Sequence, residues 1–421
     1  MRRYFGTDGV RGVVGEGLTD NLVERLGLAF ALWAEGQPVL VGRDTRGSGP
    51  ALERALARGL VAGGSDAILG GILPTPAVAL LAGSCGAVVS ASHNPAEYNG
   101  IKLFGPAGSK LEDEEEEAIE ALLDASPPGG GEIREVEGLA DRYVDLVCER
   151  FGAQLEGLRL CVDCANGAMY EVAPRALERL GADVTAIAAA PDGTNINAGC
   201  GATDLGFLSD TVRAGTFDIG IAFDGDGDRL LAVDAEGNPV DGDGVLAVFA
   251  LSLGVDLVAV TSMTNLGFHR LMSDYGIRVV VTDVGDRYVL EALRAEGGAL
   301  GGEQSGHVLY LDGHVTGDGL VAAMLLARAV VESGKPLSEL VAPLVRLPQA
   351  KRNVRVTRME LSSGLQEEVR QANSDLEGRG RVLVRPSGTE PLVRILVEAE
   401  NESEAERLCD RIAALANQEL G

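Results

Sequence analysis

The chain of 421 residues is 46% hydrophobic and 24% charged, which suits a soluble globular protein with room for about three domains. A formal net charge of −27 argues against nucleic acid or an anionic membrane surface as the main partner, so an anionic substrate has to be gripped by locally concentrated Arg and Lys. Six scattered cysteines form no disulfide framework, no apolar run is long enough to span a bilayer, and Met1 leads into polar sequence without a signal region, so a cytoplasmic location is expected.

Residues 2–14, RRYFGTDGVRGVV, read as a Gly-punctuated surface loop with Thr7, Asp8 and Arg11. A helix is predicted at about Asn21–Trp33 and a strand at Val39–Val41, closed by Gly42-Arg43-Asp44-Thr45-Arg46. A helix at about Pro50–Ala62 and a strand at Ala67–Leu69 follow. The apolar run Ala87-Val88-Val89 then breaks at Ser90-Ala91-Ser92-His93-Asn94-Pro95. A strand end followed by such a loop is where open α/β sheets place their chemistry. The Asn94-Pro95 turn would lift the Ser92 hydroxyl toward a cleft, with His93 beside it and Lys102 close by in sequence. By itself the serine reads as a turn or cap residue.

The acidic run Glu112–Glu117 precedes an apolar face at helical spacing, where negative charge favours a helix N-terminus. Ser126–Gly131 is a loop inside the first domain, because Leu139–Phe151 still reads as a helix. The β–loop–helix–Gly–β unit recurs at Leu158–Ile187 and at Leu257–Val281. Three copies of the pattern predict three similar α/β domains with mostly parallel mixed sheets. Two strands, at Val382–Val384 and Val393–Val397, and a helix at about Ser403–Leu415 predict a small C-terminal α+β domain. The expected domains are 1–152, 153–243, 244–346 and 347–421. Cys161-Val162-Asp163-Cys164 has redox spacing but no second pair to complete a zinc site, and is read as structural.

Three further stretches carry chemistry. Asp224-Gly225-Asp226-Gly227-Asp228-Arg229 follows the strand Ile219–Phe223. Its alternate carboxylates repel unless a cation sits among them, and oxygen ligands beside a phosphate favour Mg²⁺. An EF-hand is excluded, since Arg229 stands where that loop needs Gly. Glu303 and Ser305 alternate in a Gly-bounded loop and can hydrogen-bond two neighbouring sugar hydroxyls, although a plain turn is as good a reading. Arg385-Pro386-Ser387-Gly388-Thr389-Glu390-Pro391, with Arg394 beyond, has the make-up of an anion nest. Together these describe phosphoryl transfer on a phosphosugar held in a cleft between four domains.

In these residues the chain resembles the α-D-phosphohexomutase superfamily. The resemblance runs through FGTDGVRG at 5–12, SASHNP at 90–95, VDCANGA at 162–168, GTNIN at 193–197, DGDGDR at 224–229, VGDRYV at 284–289, GEQSGH at 302–307 and RPSGTEP at 385–391. FGTDGVRG and VGDRYV lean toward the glucosamine branch over the mannose/glucose branch. The resemblance implies four domains around a central cleft and a phosphoserine enzyme, an isomerase of glucosamine phosphates with a bound glucosamine 1,6-bisphosphate intermediate. It makes Ser92 the phosphoryl carrier, with Asp224, Asp226 and Asp228 joining it around one Mg²⁺. Glu303 and Ser305 become the sugar-hydroxyl readers, and Arg385, Ser387, Gly388, Thr389 and Arg394 the grip on the phosphate not being transferred. Arg11, His93, Lys102 and Arg229 balance charge near the phosphoserine, with Lys102 the proton-transfer candidate. A homodimer is compatible with this resemblance. Two rivals are a phosphatase with an aspartate nucleophile at Asp224, which fits poorly because Asp228 stands where Thr or Val is expected, and a non-catalytic phosphosugar binder.

Overall fold

The computed structural model describes residues 3–6, 8–387 and 391–421. The chain forms two compact units, Met1–Met263 with Ile277–Ala342, and Thr264–Gly276 with Pro343–Gly421.

The first unit holds three α/β layers. The first comprises β1 (Val10–Val13), α1 (Asp20–Trp33), β2 (Val39–Arg43), α2 (Gly49–Ala62), β3 (Ala67–Ile72), α3 (Thr75–Leu81) and β4 (Cys85–Val89). It continues through β5 (Tyr98–Phe104), α4 (Asp113–Ala121), β6 (Ile133–Glu135) and α5 (Leu139–Phe151). The strand order is β1-β5-β4-β2-β3-β6, with β4, β2, β3 and β6 parallel and β5 antiparallel to both its neighbours. Leu22, Leu26, Ala29 and Phe30 of α1 and Leu52, Leu56 and Leu60 of α2 recur at helical spacing, and they bury the core face over β2 and β4. Pairing of β6 with β3 puts the segment after the Ser126–Gly131 loop in this sheet. Glu112 and Glu115 close α4 with a capping box.

The expectation of a loop over residues 2–14 needs correction, because Val10–Val13 form an edge strand on β5. The strand is short, with Gly12 in its middle and only Val10 buried, so the two-residue period is faint. Gly9, at φ +79°, is required there, since a Cβ would lie 2.3 Å from the Ile101 carbonyl oxygen.

The second layer contains β7 (Arg159–Asp163), α6 (Val172–Arg179), β8 (Asp183–Ile187), α7 (Gly206–Ala214), β9 (Ile219–Phe223), β10 (Leu230–Asp234) and β11 (Pro239–Val240). Its order is β11-β10-β9-β7-β8. In the third layer α8 (Gly242–Leu253) leads to β12 (Leu257–Thr261). The next helix, α9 (Leu266–Asp274), groups with the second unit. The layer resumes with β13 (Arg278–Thr282), α10 (Asp286–Glu296), β14 (Leu300–Gly302), β15 (Val308–Tyr310), α11 (Gly319–Ser333) and α12 (Leu337–Val341), in the order β13-β12-β14-β15.

The second unit has β16 (Gln349–Arg355), α13 (Ser363–Leu376), β17 (Arg381–Pro386), β18 (Leu392–Glu398) and α14 (Glu402–Leu420). Its antiparallel order is β16-β18-β17. The sequence pattern yields only β17, β18 and α14. In β16 just Ala350 and Val354 are buried among charged and amide side chains, which weakens the alternation signal. Among the described residues no helix is long and apolar enough to cross a membrane.

Candidate active site

The wholly buried strand β4 delivers the chain into the Ser90–Pro95 loop. There Ser92 adopts φ +52°, a left-handed conformation costly for a side chain with a Cβ. Its surroundings over-determine it. Ser90 Oγ accepts from Ser92 N at 2.9 Å and donates to Asp44 Oδ2 at 2.6 Å. Arg46, wholly buried and paired with Asp44 at 2.9 Å, donates to the carbonyls of Ser92 (2.9 Å), Asn94 (2.8 Å) and Tyr98 (3.0 Å), and also to that of Pro95. Asn197 Nδ2 reaches the Ser92 and Asn94 carbonyls at 2.9 and 3.1 Å. Sequence reasoning assigned Arg46 and Asn197 no role. An arginine just past a buried strand end was the available signal.

The Asp224–Arg229 loop meets this turn closely. A Cβ on Gly225 would stand 2.5 Å from the Ser92 carbonyl oxygen, so glycine is needed there. Ser92 Oγ donates to Asp224 Oδ2 at 2.5 Å. One carboxylate oxygen each from Asp224, Asp226 and Asp228 lies within 4.8 Å of the others, and all three residues are buried. Thr75 Oγ1 donates to Asp226 Oδ2 at 2.6 Å, while Asp226 Oδ1 is buried without a hydrogen-bond partner. Burial, then the charges of Asp228 and Asp226, push the Asp224 carboxyl up to about 7. A crowded carboxylate set with an orphaned oxygen fits a divalent cation.

The sequence expectation of a hydroxyl lifted toward a cleft is not met, because Ser92 is fully buried. The left-handed turn aims Oγ at Asp224 instead of at solvent.

Lys102, on β5, is brought to the same place. Its ammonium lies 2.7 Å from Asp226, 2.8 Å from Asp228 and 2.8 Å from Asp8. Burial alone would lower its pKa, but the three carboxylates prevail and raise it well above the ordinary lysine value. In this arrangement Lys102 carries a proton it can give and has no lone pair to accept one. Asp8 also holds Arg11 Nη2 at 2.5 Å and Lys110 at 3.5 Å, and Lys110 pairs with Asp286. Asp8, Lys110 and Asp286 thus form an extension that motif reading passed over.

His93 Nδ1 is 3.3 Å from Ser92 Oγ. Burial, then Arg229 and Arg11, hold the imidazole down at about 4, so it is neutral at pH 7. Arg229 Nε stands 3.9 Å from Asp224 and 4.0 Å from Asp228. His307, assigned no role from sequence, joins the metal loop to the GEQSGH loop. Its Nε2 is 2.9 Å from Asp228 Oδ1 and its Nδ1 2.8 Å from Glu303 Oε2. Burial and Arg229 oppose its charge, but Asp228 and Asp286 prevail and raise it to about 10. Glu303 also accepts from Gly285 N at 3.1 Å, whereas Ser305 is exposed.

In the second unit, Arg385 on β17 and Arg394 on β18 are direct cross-strand partners, so their side chains share one face. Ser387 N donates to the Leu392 carbonyl at 2.8 Å. Gly388 and Thr389 lie outside the described residues.

The chain matches known proteins over nearly its whole length. Residues 2–128, 141–237 and 241–347 match the phosphoglucomutase/phosphomannomutase alpha/beta/alpha domains I, II and III. Residues 351–415 match the C-terminal domain of the same family. The chain belongs to the phosphoglucomutase/phosphomannomutase family. Within it, the chain is 47% identical to a phosphoglucosamine mutase of Pelotomaculum thermopropionicum, covering 98% of each chain. It is 48% identical to a phosphoglucosamine mutase of Frankia alni, covering 100% of this chain and 99% of the relative. A solved phosphoglucomutase/phosphomannomutase family protein of Burkholderia thailandensis superposes with TM-score 0.84 at 27% identity, covering 98% of this chain and 97% of the other.

Proposed function

We propose that the chain is a phosphoglucosamine mutase, an isomerase that interconverts glucosamine 6-phosphate and glucosamine 1-phosphate and feeds UDP-N-acetylglucosamine synthesis. The observation that carries the chemistry is Ser92 Oγ set 2.5 Å from the first of three clustered aspartates. Full-length likeness to phosphoglucosamine mutases supports the choice of amino sugar over glucose or mannose. Four separate family matches support a division into four domains, and the limits 1–152, 153–243, 244–346 and 347–421 remain the proposed ones, although the match to the second domain begins at residue 141.

In the proposed cycle, phosphorylated Ser92 passes its phosphoryl group to the free hydroxyl of the substrate. The bond from phosphorus to Ser92 Oγ breaks as the bond to the sugar oxygen forms, giving glucosamine 1,6-bisphosphate. After the sugar turns around, its other phosphate returns to Ser92. Asp224, Asp226, Asp228 and Ser92 would hold Mg²⁺. The ion when bound offsets the negative charge gathered on the transferring oxygens. Arg229 contributes fixed positive charge beside those oxygens. Lys102 gives its proton to the departing Ser92 oxygen and takes up the one released by the attacking sugar hydroxyl, so that it ends the transfer protonated as it began. Asp224 faces the Ser92 hydroxyl proton in the return transfer. Arg11 and neutral His93 line the same spot, and His307 holds Glu303 and Asp228 in place. Glu303 and Ser305 read sugar hydroxyls, while Arg385, Ser387, Gly388, Thr389 and Arg394 grip the phosphate not being transferred. The reaction is cytoplasmic, its partner is the phosphosugar, and a homodimer is the assembly to be checked by light scattering.

Side-by-side turnover of glucosamine, glucose and mannose phosphates tests the specificity, with the amino sugar expected to have the highest kcat/KM. Intact-mass analysis of the active protein should find one phosphoryl group on Ser92. An unmodified Ser92, or a fully active Ser92→Ala variant, would overturn the reading.

A further inference from the structure

The sheet whose strand β4 leads into the Ser92 turn opens a crevice at its other parallel strands. Parallel strands β2, β3 and β6 end side by side, and an open pocket of about 410 Å³ lies at their carboxyl ends. Open α/β sheets take ligands at that end. Arg43 forms one wall, and Leu69, Gly70 and Gly71 line the pocket beside it. Pro50 and Gly138 also line it, so the N-termini of α2 and α5 both border the space. Positive ends of helix dipoles favour an anionic group there.

The charged groups are the more telling feature. Glu53 is nine-tenths buried, and its Oε1 has no hydrogen-bond partner. Arg43 Nε sits 3.4 Å from the other Glu53 oxygen and likewise makes no hydrogen bond. Glu135 and Glu137 bring further negative charge, and exposed Arg54 brings positive charge. An unsatisfied buried acceptor beside an unsatisfied buried donor costs stability that a ligand with both kinds of group would recover. Burial, opposed by Arg43, also raises the Glu53 carboxyl, as expected of an acceptor kept from water.

We infer that this pocket binds a small molecule carrying a primary ammonium and an anionic group. The ammonium donates to Glu53 Oε1 and faces Glu135 and Glu137, while the anionic group meets Arg43, Arg54 and the two helix N-termini. The site shares no residue with the Ser92 centre, and the inference stands apart from the mutase reading. An amino acid and an amino-sugar phosphate both supply this chemistry.

The test is calorimetric titration of the full chain with L-glutamate and with glucosamine 6-phosphate, using glucose 6-phosphate as the amine-free control. At least one amine is expected to bind here, whether or not glucosamine 6-phosphate also gives a separate event at the Ser92 centre. Glu53→Gln should weaken binding at this pocket at least tenfold, and so should the exposed-site variant Arg54→Glu. The unfolding midpoint of Arg54→Glu checks that the fold is intact. Which amine binds identifies the source of the ligand. The proposal is overturned if neither amine gives this binding, if both variants retain it, or if glucose 6-phosphate produces it equally.

Discussion

The Arg46 guanidinium holds the backbone of Ser92 and leaves its hydroxyl alone, with Nη2 donating to the Ser92 carbonyl at 2.9 Å. The side chain proposed to carry the phosphoryl group is therefore free to change its chemical state while the turn beneath it stays fixed. Arg46 pairs with Asp44 in full burial, and Asp44 in turn holds Ser90.

Removing Arg46 leaves the Asp44 charge buried and several carbonyls short of a donor. Arg46→Ala should lower unfolding free energy by about 3–5 kcal/mol. Arg46→Lys should recover only part of that, because an ammonium lacks the planar fork of donors. Urea unfolding midpoints of the two variants provide the check.

Ser92 sits at φ +52°, so its two inactive substitutions should differ in stability. Glycine accepts that conformation freely, and Ser92→Gly should be more stable than Ser92→Ala by about 1 kcal/mol. Chemical denaturation together with loss of phosphoryl labelling reads both properties.

The aspartate cluster predicts stabilisation by metal independent of turnover. At a free Mg²⁺ level 100 times its Kd, the native state should gain about 2.7 kcal/mol. Asp226→Ala should abolish the gain. Melting temperature against Mg²⁺ concentration, with a chelator as the zero point, measures it.

Asp163 gives a pH signature away from the metal cluster. Its carboxylate accepts from Ala165 N at 2.9 Å and Gly201 N at 2.8 Å, yet burial outweighs these bonds and raises it to about 6. The folded protein therefore binds this proton more tightly than the unfolded chain does. Below the unfolded pKa, near 4, the group imposes no penalty. As pH rises from about 4 to about 6 it should remove about 3 kcal/mol, a loss that persists above that range. The stability difference between wild type and Asp163→Asn should fall over that window and level off beyond it.

Arg385 and Arg394 face each other across β17 and β18, and like charges so placed repel. A phosphate gripped there, as proposed, would relieve that repulsion. Arg394→Gln should raise KM for the phosphosugar with little change in kcat, and should reduce the melting-temperature rise produced by inorganic phosphate. Steady-state kinetics and thermal shift report the two effects.

Much of this was legible in the chain because the signals are local. Apolar period and Gly breaks located α1, α5, β9 and the repeated β–helix–β units, since burial of one face writes itself into adjacent residues. Alternation of Asp with Gly at 224–228 gave away the clustered carboxylates for the same reason. Where glycine or charge diluted the period, as in β1 and β16, the pattern was silent.

What only the tertiary structure decided are the partnerships between distant segments. Lys102 lies more than a hundred residues from Asp226 and Asp228 in sequence, and its charge state follows from their meeting. The Arg46 clamp, the His307 bridge and the burial of Ser92 depend likewise on which strand ends stand side by side. Residue type fixes what a group can donate or accept. Burial and neighbouring charge decide whether it does, and those are properties of the folded chain.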